Sequence, residues 1–334
     1  MTVPSLSQVF SSDFAIGAAV NARTIRSHRD FVVEHFVSVT PENEMKFERL
    51  QPAEGLYTFE EADRIVMFAK EYGLRVRGHT LVWHNQTPDW VFEQDGRPAD
   101  RQVVLARMRA HIETVVGRYR SAVYCWDVVN EAVADEGTEL LRRSKWLELV
   151  GPDYVEQAFR YAHEADPDAL LFYNDYNECN PEKREKIVRL LRLLLDRGVP
   201  VHGVGMQGHW DLEHPTADEI RSAIERYASL GLRVQITELD VSVYGWRDRD
   251  RDSWPAMPDP ALLERQAARY EEIFRLFHEY RDVIDGVTFW GVADDATWLD
   301  HFPVPGRKNW PLPFDEAHRP KPAFFAMLRA VGQV

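Results

Sequence analysis

Eight short apolar runs, each followed by a longer amphipathic one, set the frame of this chain. The runs Phe14–Val20, His35–Thr40, Arg75–Trp83, Val123–Val129, Leu170–Asn174, Gly203–Gly208, Arg233–Leu239 and Gly286–Trp290 read as strands. Most are continuously apolar, the pattern of parallel strands covered on both faces. Helical periodicity occupies 24–34, 59–72, 100–118, 152–165, 181–197, 217–231, 260–281 and 320–331. Asn180-Pro181 reads as an N-cap followed by proline in the first helical turn, and Thr216 with Glu219 forms a T-x-x-E capping box. Gly73, Gly198 and Gly231 stand where a glycine would end the preceding helix. Strict strand–helix alternation favours a closed (β/α)8 TIM barrel. A doubly wound open sheet is the alternative, but no G-x-G-x-x-G follows the first strand and no P-loop occurs. No linker or low-complexity stretch divides residues 1–334, so one domain is expected.

The charge balance narrows the partners. A formal charge of -14 opposes nucleic acid, whose phosphates demand a basic surface, and opposes an anionic membrane surface. No apolar run approaches the ~20 residues that span a bilayer. The N-terminus lacks a basic segment leading into an apolar one. The two cysteines, Cys125 and Cys179, have no metal-ligand spacing and suit a reducing compartment, so a cytoplasmic location is expected. Nothing in the sequence sets an oligomeric state. Arg247-Asp248-Arg249-Asp250-Arg251-Asp252 reads as a solvated loop that pairs within itself.

Ten Trp, twelve Tyr and seventeen Phe are a rich supply of flat apolar faces, suited to core packing and equally to the C–H faces of sugar rings. The strand ends carry polar groups as well. Pro41-Glu42-Asn43-Glu44-Met45-Lys46 follows strand two, and strand three gives His79, Trp83, His84 and Gln86. Strands four to seven end in Asp127-Val128-Val129-Asn130-Glu131, Asn174-Asp175-Tyr176-Asn177, Gln207-Gly208-His209-Trp210 and Thr237-Glu238-Leu239-Asp240. Strand eight gives Trp290, and its loop gives Trp298. Each residue alone has a structural explanation, as a cap, a solvated strand end or a core histidine. In a parallel barrel, however, all of these positions collect at one face. Convergent polar groups with aromatic walls are the anatomy of a small-molecule site.

Two glutamates at barrel-strand ends point to cleavage of a glycosidic bond. One carboxylic acid protonates the leaving oxygen, and a second carboxylate acts as nucleophile or as base for water. Retaining enzymes hold the pair ~5–5.5 Å apart and inverting ones ~6.5–9.5 Å apart. His209 and Asp240 are placed to form a relay that keeps Glu238 ionised, as a nucleophile requires. Asn130 is placed to bond a sugar 2-hydroxyl. Glu131, in apolar surroundings beside the Glu238 anion, is expected to stay protonated and serve as acid, then base. No H-E-x-x-H occurs and no H-x-H follows strand one, so no catalytic metal is expected; no Gly-x-Ser-x-Gly elbow supports serine chemistry.

At these residues the chain resembles glycoside hydrolase family 10, the endo-β-1,4-xylanases. Gly231-Leu-Arg-Val-Gln-Ile-Thr-Glu-Leu-Asp-Val241 is similar to the family's active-site signature, and Trp126-Asp-Val-Val-Asn-Glu131 to its acid/base segment. Thr40–Lys46, Gly78–His84, Tyr173–Asn177 and Gly205–Trp210 match further strand ends. The resemblance implies a retaining enzyme without a cofactor, with Glu131 as acid/base and Glu238 as nucleophile. It places His209, Asp240, Asn130 and Asp127 in support. It implies that Glu42, Asn43 and Lys46 hold the glycone, and that His79, Trp83, Asn130, Gln207, Trp290 and Trp298 surround the sugar being cleaved. Tyr176 would stack on the leaving side, and Gln86 is counted with the substrate-binding residues. The absence of a carbohydrate-binding module and the segment Phe302–Phe314 resemble the family's intracellular branch, which acts on xylo-oligosaccharides. That Pro-rich segment reads either as a stiff lid or as a structural connection into helix eight. A β-1,4-glucanase or aryl-β-glycosidase, and a non-catalytic carbohydrate-binding barrel, are the alternative readings.

Overall fold

The computed structural model describes residues 3–250 and 257–333. Eight parallel strands close on themselves: β1 (Ala15–Val20), β2 (Ser38–Pro41), β3 (Arg75–Trp83), β4 (Val123–Asn130), β5 (Leu170–Asp175), β6 (Gly203–Met206), β7 (Arg233–Ser242) and β8 (Ile284–Phe289). Each pairs with the next, and closure is made by β8 against β1, with Ala15 opposite Gly286 and Ala18 opposite Phe289. The expected (β/α)8 barrel is therefore the observed fold. The helices α1 (Arg29–His35), α2 (Glu60–Tyr72), α3 (Arg101–Arg118), α4 (Tyr154–Ala165), α5 (Pro181–Asp196), α6 (Ala217–Ala228), α7 (Pro260–Glu279) and α8 (Pro322–Ala330) follow the strands in turn.

Local chemistry explains the helix starts. The Asn180 side chain accepts from the backbone N–H groups of Glu182 and Lys183, satisfying two orphan donors of α5. Thr216 and Glu219 make both halves of the capping box of α6. At the other end of α2, Gly73 takes the left-handed conformation at φ 70°. Large buried side chains pack on both faces of the barrel wall, and glycines on the neighbouring strands make room for them. A Cβ on Gly78 would lie 2.2 Å from the Trp126 indole, and one on Gly203 would lie 2.2 Å from the Phe172 ring. Arg77, also buried, bonds both oxygens of Asp127, and its Nε donates to Gln235 at 3.0 Å.

Several expected boundaries move. His35 closes α1 and does not open β2, because the Phe36 N–H completes a helical bond to Val32 O. The expected helix 24–34 is two pieces, Thr24–Ser27 and α1, broken at His28 with ψ 17°. α4 starts at Tyr154, two residues late, and β8 begins at Ile284 and ends at Phe289. β6 stops at Met206. The left-handed Gly208 (φ 78°) turns the chain, so that His209–Asp211 resumes as a short strand beside β7. α6 ends at Ala228, so Gly231 (φ 74°) lies beyond it and does not cap it. In the charged run, Arg251 and Asp252 lie outside the described residues. Of the rest, Asp248 pairs with Arg307 at 3.5 Å across to another loop, and within the run its Oδ1 accepts from the Asp250 N–H at 2.9 Å and its carbonyl from Arg249 Nη1 at 3.1 Å. The Pro-rich segment is a packed connection over 309–314: Trp310, Leu312 and Phe314 are buried, and the Gln266 amide donates to Trp310 O at 2.6 Å.

Candidate active site

Three barrel strands lose register where functional side chains sit. The shifts fall between His79 and Val82 on β3, between Asp127 and Val129 on β4, and between Ile236 and Leu239 on β7. An extra residue at such a point re-aims the side chains beyond it. β4 thereby delivers Glu131, which sits just past the strand at φ 55°. A non-glycine residue there stores strain that its surroundings must hold. The Glu131 N–H donates to Asn174 O at 2.8 Å, and Arg142 Nε donates to Glu131 O at 3.1 Å.

The two carboxyl groups face one cluster. Glu131 is 9% exposed, and its oxygens accept from Trp83 Nε1 at 2.8 Å and Gln207 Nε2 at 2.9 Å. Glu238 is 5% exposed. It accepts from Asn174 Nδ2 at 2.8 Å on one oxygen and bonds His209 Nε2 at 3.0 Å on the other. Asn130 Oδ1 lies between the two glutamates, accepting from Asn174 Nδ2 at 3.0 Å and from Gln207 Nε2 at 3.3 Å. A continuous chain of four hydrogen bonds thus joins the pair through side-chain amides, and Thr237 Oγ1 orients it by donating to Asn174 Oδ1 at 2.6 Å.

The environments push the two carboxyls in opposite directions. Burial raises the pKa of Glu131, and the charges of Asp175 and Glu238 add to the rise, against the hydrogen bonds from Gln207 and Trp83. Burial would raise Glu238 too, but the His209 hydrogen bond and the His79 and His209 charges hold it below the ordinary range. His209 is itself buried, which disfavours its cation, yet Asp240 and Glu238 lift it to about 10. Its Nδ1 lies 3.0 Å from Asp240 Oδ2, which also accepts from Trp298 Nε1 at 2.7 Å. Asp127 sits beneath His79, with Oδ2 2.9 Å from Nδ1. Buried carboxyl groups set apart in this way are what acid–base division of labour requires.

Aromatic groups wall this cluster. Trp290 meets the edges of His79 and His209 at 5.3 and 6.2 Å, and Trp298 lies 4.8 Å from His209. Lys46 Nζ stands 5.0 Å over the Trp83 ring and donates to Asn43 Oδ1 at 3.0 Å. Burial lowers its pKa, opposed by Glu238, Glu42 and Glu131. Glu42 accepts from Asn21 Nδ2 at 3.0 Å. A groove of about 840 Å³ opens on the His209 side of the mouth, lined in part by His209, Trp246, Asp135, Lys183 and Asn177 but by neither glutamate. Two expected residues stand apart from the carboxylates. Gln86 donates to Glu48 at 3.0 Å, and the Tyr176 hydroxyl bonds Asp135 and Arg142 at 2.6 and 2.7 Å.

Sequence reasoning missed supporting residues. Asn174, which bonds Glu238, was visible as an amide closing an apolar strand but received no role. Lys183 lies in the first turn of α5 and likewise received no role. It is buried, bonds Asp135 and Asp175 at 2.6 and 2.8 Å, and lies 3.7 Å over the Tyr176 ring. Trp246 bonds His209 O at 3.1 Å and lies 6.0 Å from Trp298. No local pattern marks Lys183 or Trp246.

A parallel barrel whose mouth gathers two environmentally divided glutamates between aromatic walls is built as a glycoside hydrolase. The comparisons give the family. The sequence model of "Glycosyl hydrolase family 10" matches residues 5–330. An endo-1,4-beta-xylanase of Geobacillus stearothermophilus is 60% identical over 329 residues, 98% of each chain. Endo-1,4-beta-xylanase B of Paenibacillus barcinonensis is 56% identical, over 99% of this chain and 98% of the relative. The solved structure of xylanase XynB from Paenibacillus barcinonensis, complexed with a conduramine derivative, superposes with a TM-score of 0.96 at 55% identity, covering both chains fully. A mutant structure in complex with xylotriose gives 0.95 at 49% identity, over 98% of this chain and 99% of that chain. The chain belongs to glycosyl hydrolase family 10, a family that retains anomeric configuration.

Proposed function

We propose that this enzyme is a retaining endo-1,4-β-xylanase in which Glu131 is the acid/base and Glu238 the nucleophile. The observation that carries the assignment is the opposed environment of the two carboxyls: Glu131 pushed up by burial and neighbouring anions, Glu238 held down by His209 and His79 against its burial. Xylo-oligosaccharide is the substrate class. The 60% identity to an endo-1,4-beta-xylanase supports it, and Trp290 and Trp298, one packed on His79 and the other bonded to Asp240, supply the aromatic wall a sugar ring needs.

In the first step, a Glu238 oxygen attacks the anomeric carbon while Glu131 transfers its proton to the glycosidic oxygen. The C–O bond breaks, the reducing-end fragment leaves, and a glycosyl ester of Glu238 forms. In the second step, the Glu131 carboxylate takes a proton from water, the oxygen attacks the same carbon, and Glu238 departs. Two inversions retain configuration. Asn130, its oxygen committed to Asn174 and Gln207, keeps its amide nitrogen to donate to the 2-hydroxyl. Lys46, Asn43 and Glu42 supply polar contacts to the glycone, His79 and Gln207 bound the cleaved sugar, and Tyr176 offers a ring to the leaving side.

Proton NMR of xylohexaose hydrolysis tests the reading. The β-anomer is expected first, with mutarotation later. The α-anomer as first product overturns the nucleophile assignment, and no cleavage overturns the substrate. A cytoplasmic site of action, suggested by two buried free cysteines, is a further proposal, tested by fractionating the native producer.

A further inference from the structure

His28, Asp295 and His318 come from three distant parts of the chain and turn their donor atoms toward one point. His28 breaks the helical run before α1, Asp295 lies in the short helical turn Asp294–Ala296 after β8, and His318 lies in the turn before α8. His28 Nε2 lies 3.1 and 3.0 Å from the two Asp295 oxygens, and His318 Nε2 lies 3.7 Å from Asp295 Oδ1. The two imidazole rings are 4.3 Å apart, and one donor atom from each residue falls within 4.8 Å of the others.

We propose that these residues form a structural site for a zinc-class divalent transition ion. A tetrahedral ion with bonds of about 2.0–2.2 Å holds its donor atoms roughly 3.2–3.6 Å apart, near the two carboxylate–imidazole spacings of 3.0 and 3.7 Å, and the third pair, within 4.8 Å, needs only a modest side-chain adjustment. Two imidazole nitrogens and one carboxylate oxygen are a borderline donor set, which selects first-row transition ions over magnesium or calcium. A simple ion pair accounts for His28 and Asp295, while ring packing on His28 and Phe31 holds His318 so that its Nε2 faces the same carboxylate as a third donor. His318 is a non-glycine residue at φ 59°, its ring held 5.1 Å from Phe31. The supporting contact of a metal-bound imidazole is also present, since His28 Nδ1 lies 2.6 Å from Ser27 Oγ. His28 is buried, while Asp295 is exposed and His318 half-buried, so the site has an anchor and an open side for entry and for water ligands.

The ion would clamp the first barrel unit to the last. The clamp bears on the site indirectly: Asp295 is three residues before Trp298, whose indole donates to Asp240. None of the three residues bonds either glutamate, so the role is mechanical.

Equilibrium dialysis of chelator-treated full-length protein against micromolar zinc chloride is expected to give one ion per chain. The His318→Gln and Asp295→Asn variants are expected to lose it while keeping xylan hydrolysis in metal-free buffer. With zinc at a hundredfold excess over its dissociation constant, the wild-type Tm should rise by about 4 °C, and that of the variants should not. Three results would each overturn the proposal. They are a wild-type chain that retains no zinc, a His318→Gln variant that binds as wild type does, and equal stabilisation by magnesium.

Discussion

His209→Asn probes how the nucleophile is kept ionised. His209 stands between two carboxylates, 3.0 Å from Glu238 through one ring nitrogen and 3.0 Å from Asp240 through the other. Asparagine retains a donor of similar reach but carries no charge. A hydrogen bond involving a charged group contributes about 1.5–3 kcal/mol, against about 0.5–1.5 for a neutral one. The loss is therefore about 1–1.5 kcal/mol of stabilisation of the Glu238 anion. Its direction follows from the causes. His209 lowers Glu238 against the upward push of burial, so removing the cation lets the Glu238 pKa rise.

The assay is the pH dependence of kcat/KM on xylotetraose. The acidic limb should move to higher pH, while near neutrality, where the nucleophile stays ionised, kcat/KM should fall by less than it does on the acidic limb. Stability supplies an independent reading. The His209 pKa is raised to about 10, so its contribution is full below its unfolded value near 6.5 and is lost as pH rises through about 10. The Tm gap between wild type and variant should accordingly narrow from neutral pH toward pH 10. An acidic limb that stays in place while kcat falls would refute the electrostatic role and leave His209 with a packing role.

Three further perturbations separate the carboxylates and their support. Glu238→Ala should be inactive and rescued by azide as the α-glycosyl azide, whereas a β-azide would refute its role as nucleophile. Glu131→Ala should lose most rate on unactivated xylotetraose and least on substrates with good leaving groups, as a missing general acid requires. Gly205→Ala acts through a neighbour. The new Cβ would lie 2.1 Å from Asn174 Oδ1, so Asn174 must shift away from Glu238 and Asn130. Overpacking of this kind costs about 1–3 kcal/mol, read as a lower Tm, and kcat should fall by about tenfold or more. Unchanged kcat in a destabilised variant would show that the amide chain is not needed for turnover.

Much of the barrel was legible because continuous apolar strands and amphipathic helices differ in period. Capping residues are also local chemistry, so Asn180, Thr216 and Glu219 took the positions expected of them. Boundaries failed where an apolar run continued through a change of backbone state. His35-Phe36-Val37 is as apolar as a strand start, yet the helical bond from Phe36 to Val32 claims His35 for α1. The charged run showed its local chemistry, as in the Asp250 N–H bond to Asp248 Oδ1, but not that Arg307, from a loop more than fifty residues later in the chain, also reaches Asp248.

The sequence alone determined the architecture and named the two glutamates, since both follow from strand period and from which residues interrupt the strand ends. It also singled out His209 and Asp240 as neighbours of Glu238 on adjacent strands. The division of roles between the two carboxyls was already suggested by His209 and Asp240, but only the tertiary structure brought Asp175 and Asn174 into it. That difference comes from through-space terms: the charge of Asp175 on Glu131, the hydrogen bond from Asn174 and the imidazolium of His209 on Glu238. Such terms depend on distance and burial between groups tens of residues apart, and no local pattern encodes them. The amide chain from Glu238 through Asn174, Asn130 and Gln207 to Glu131 joins four strand ends, so it exists only once the barrel closes.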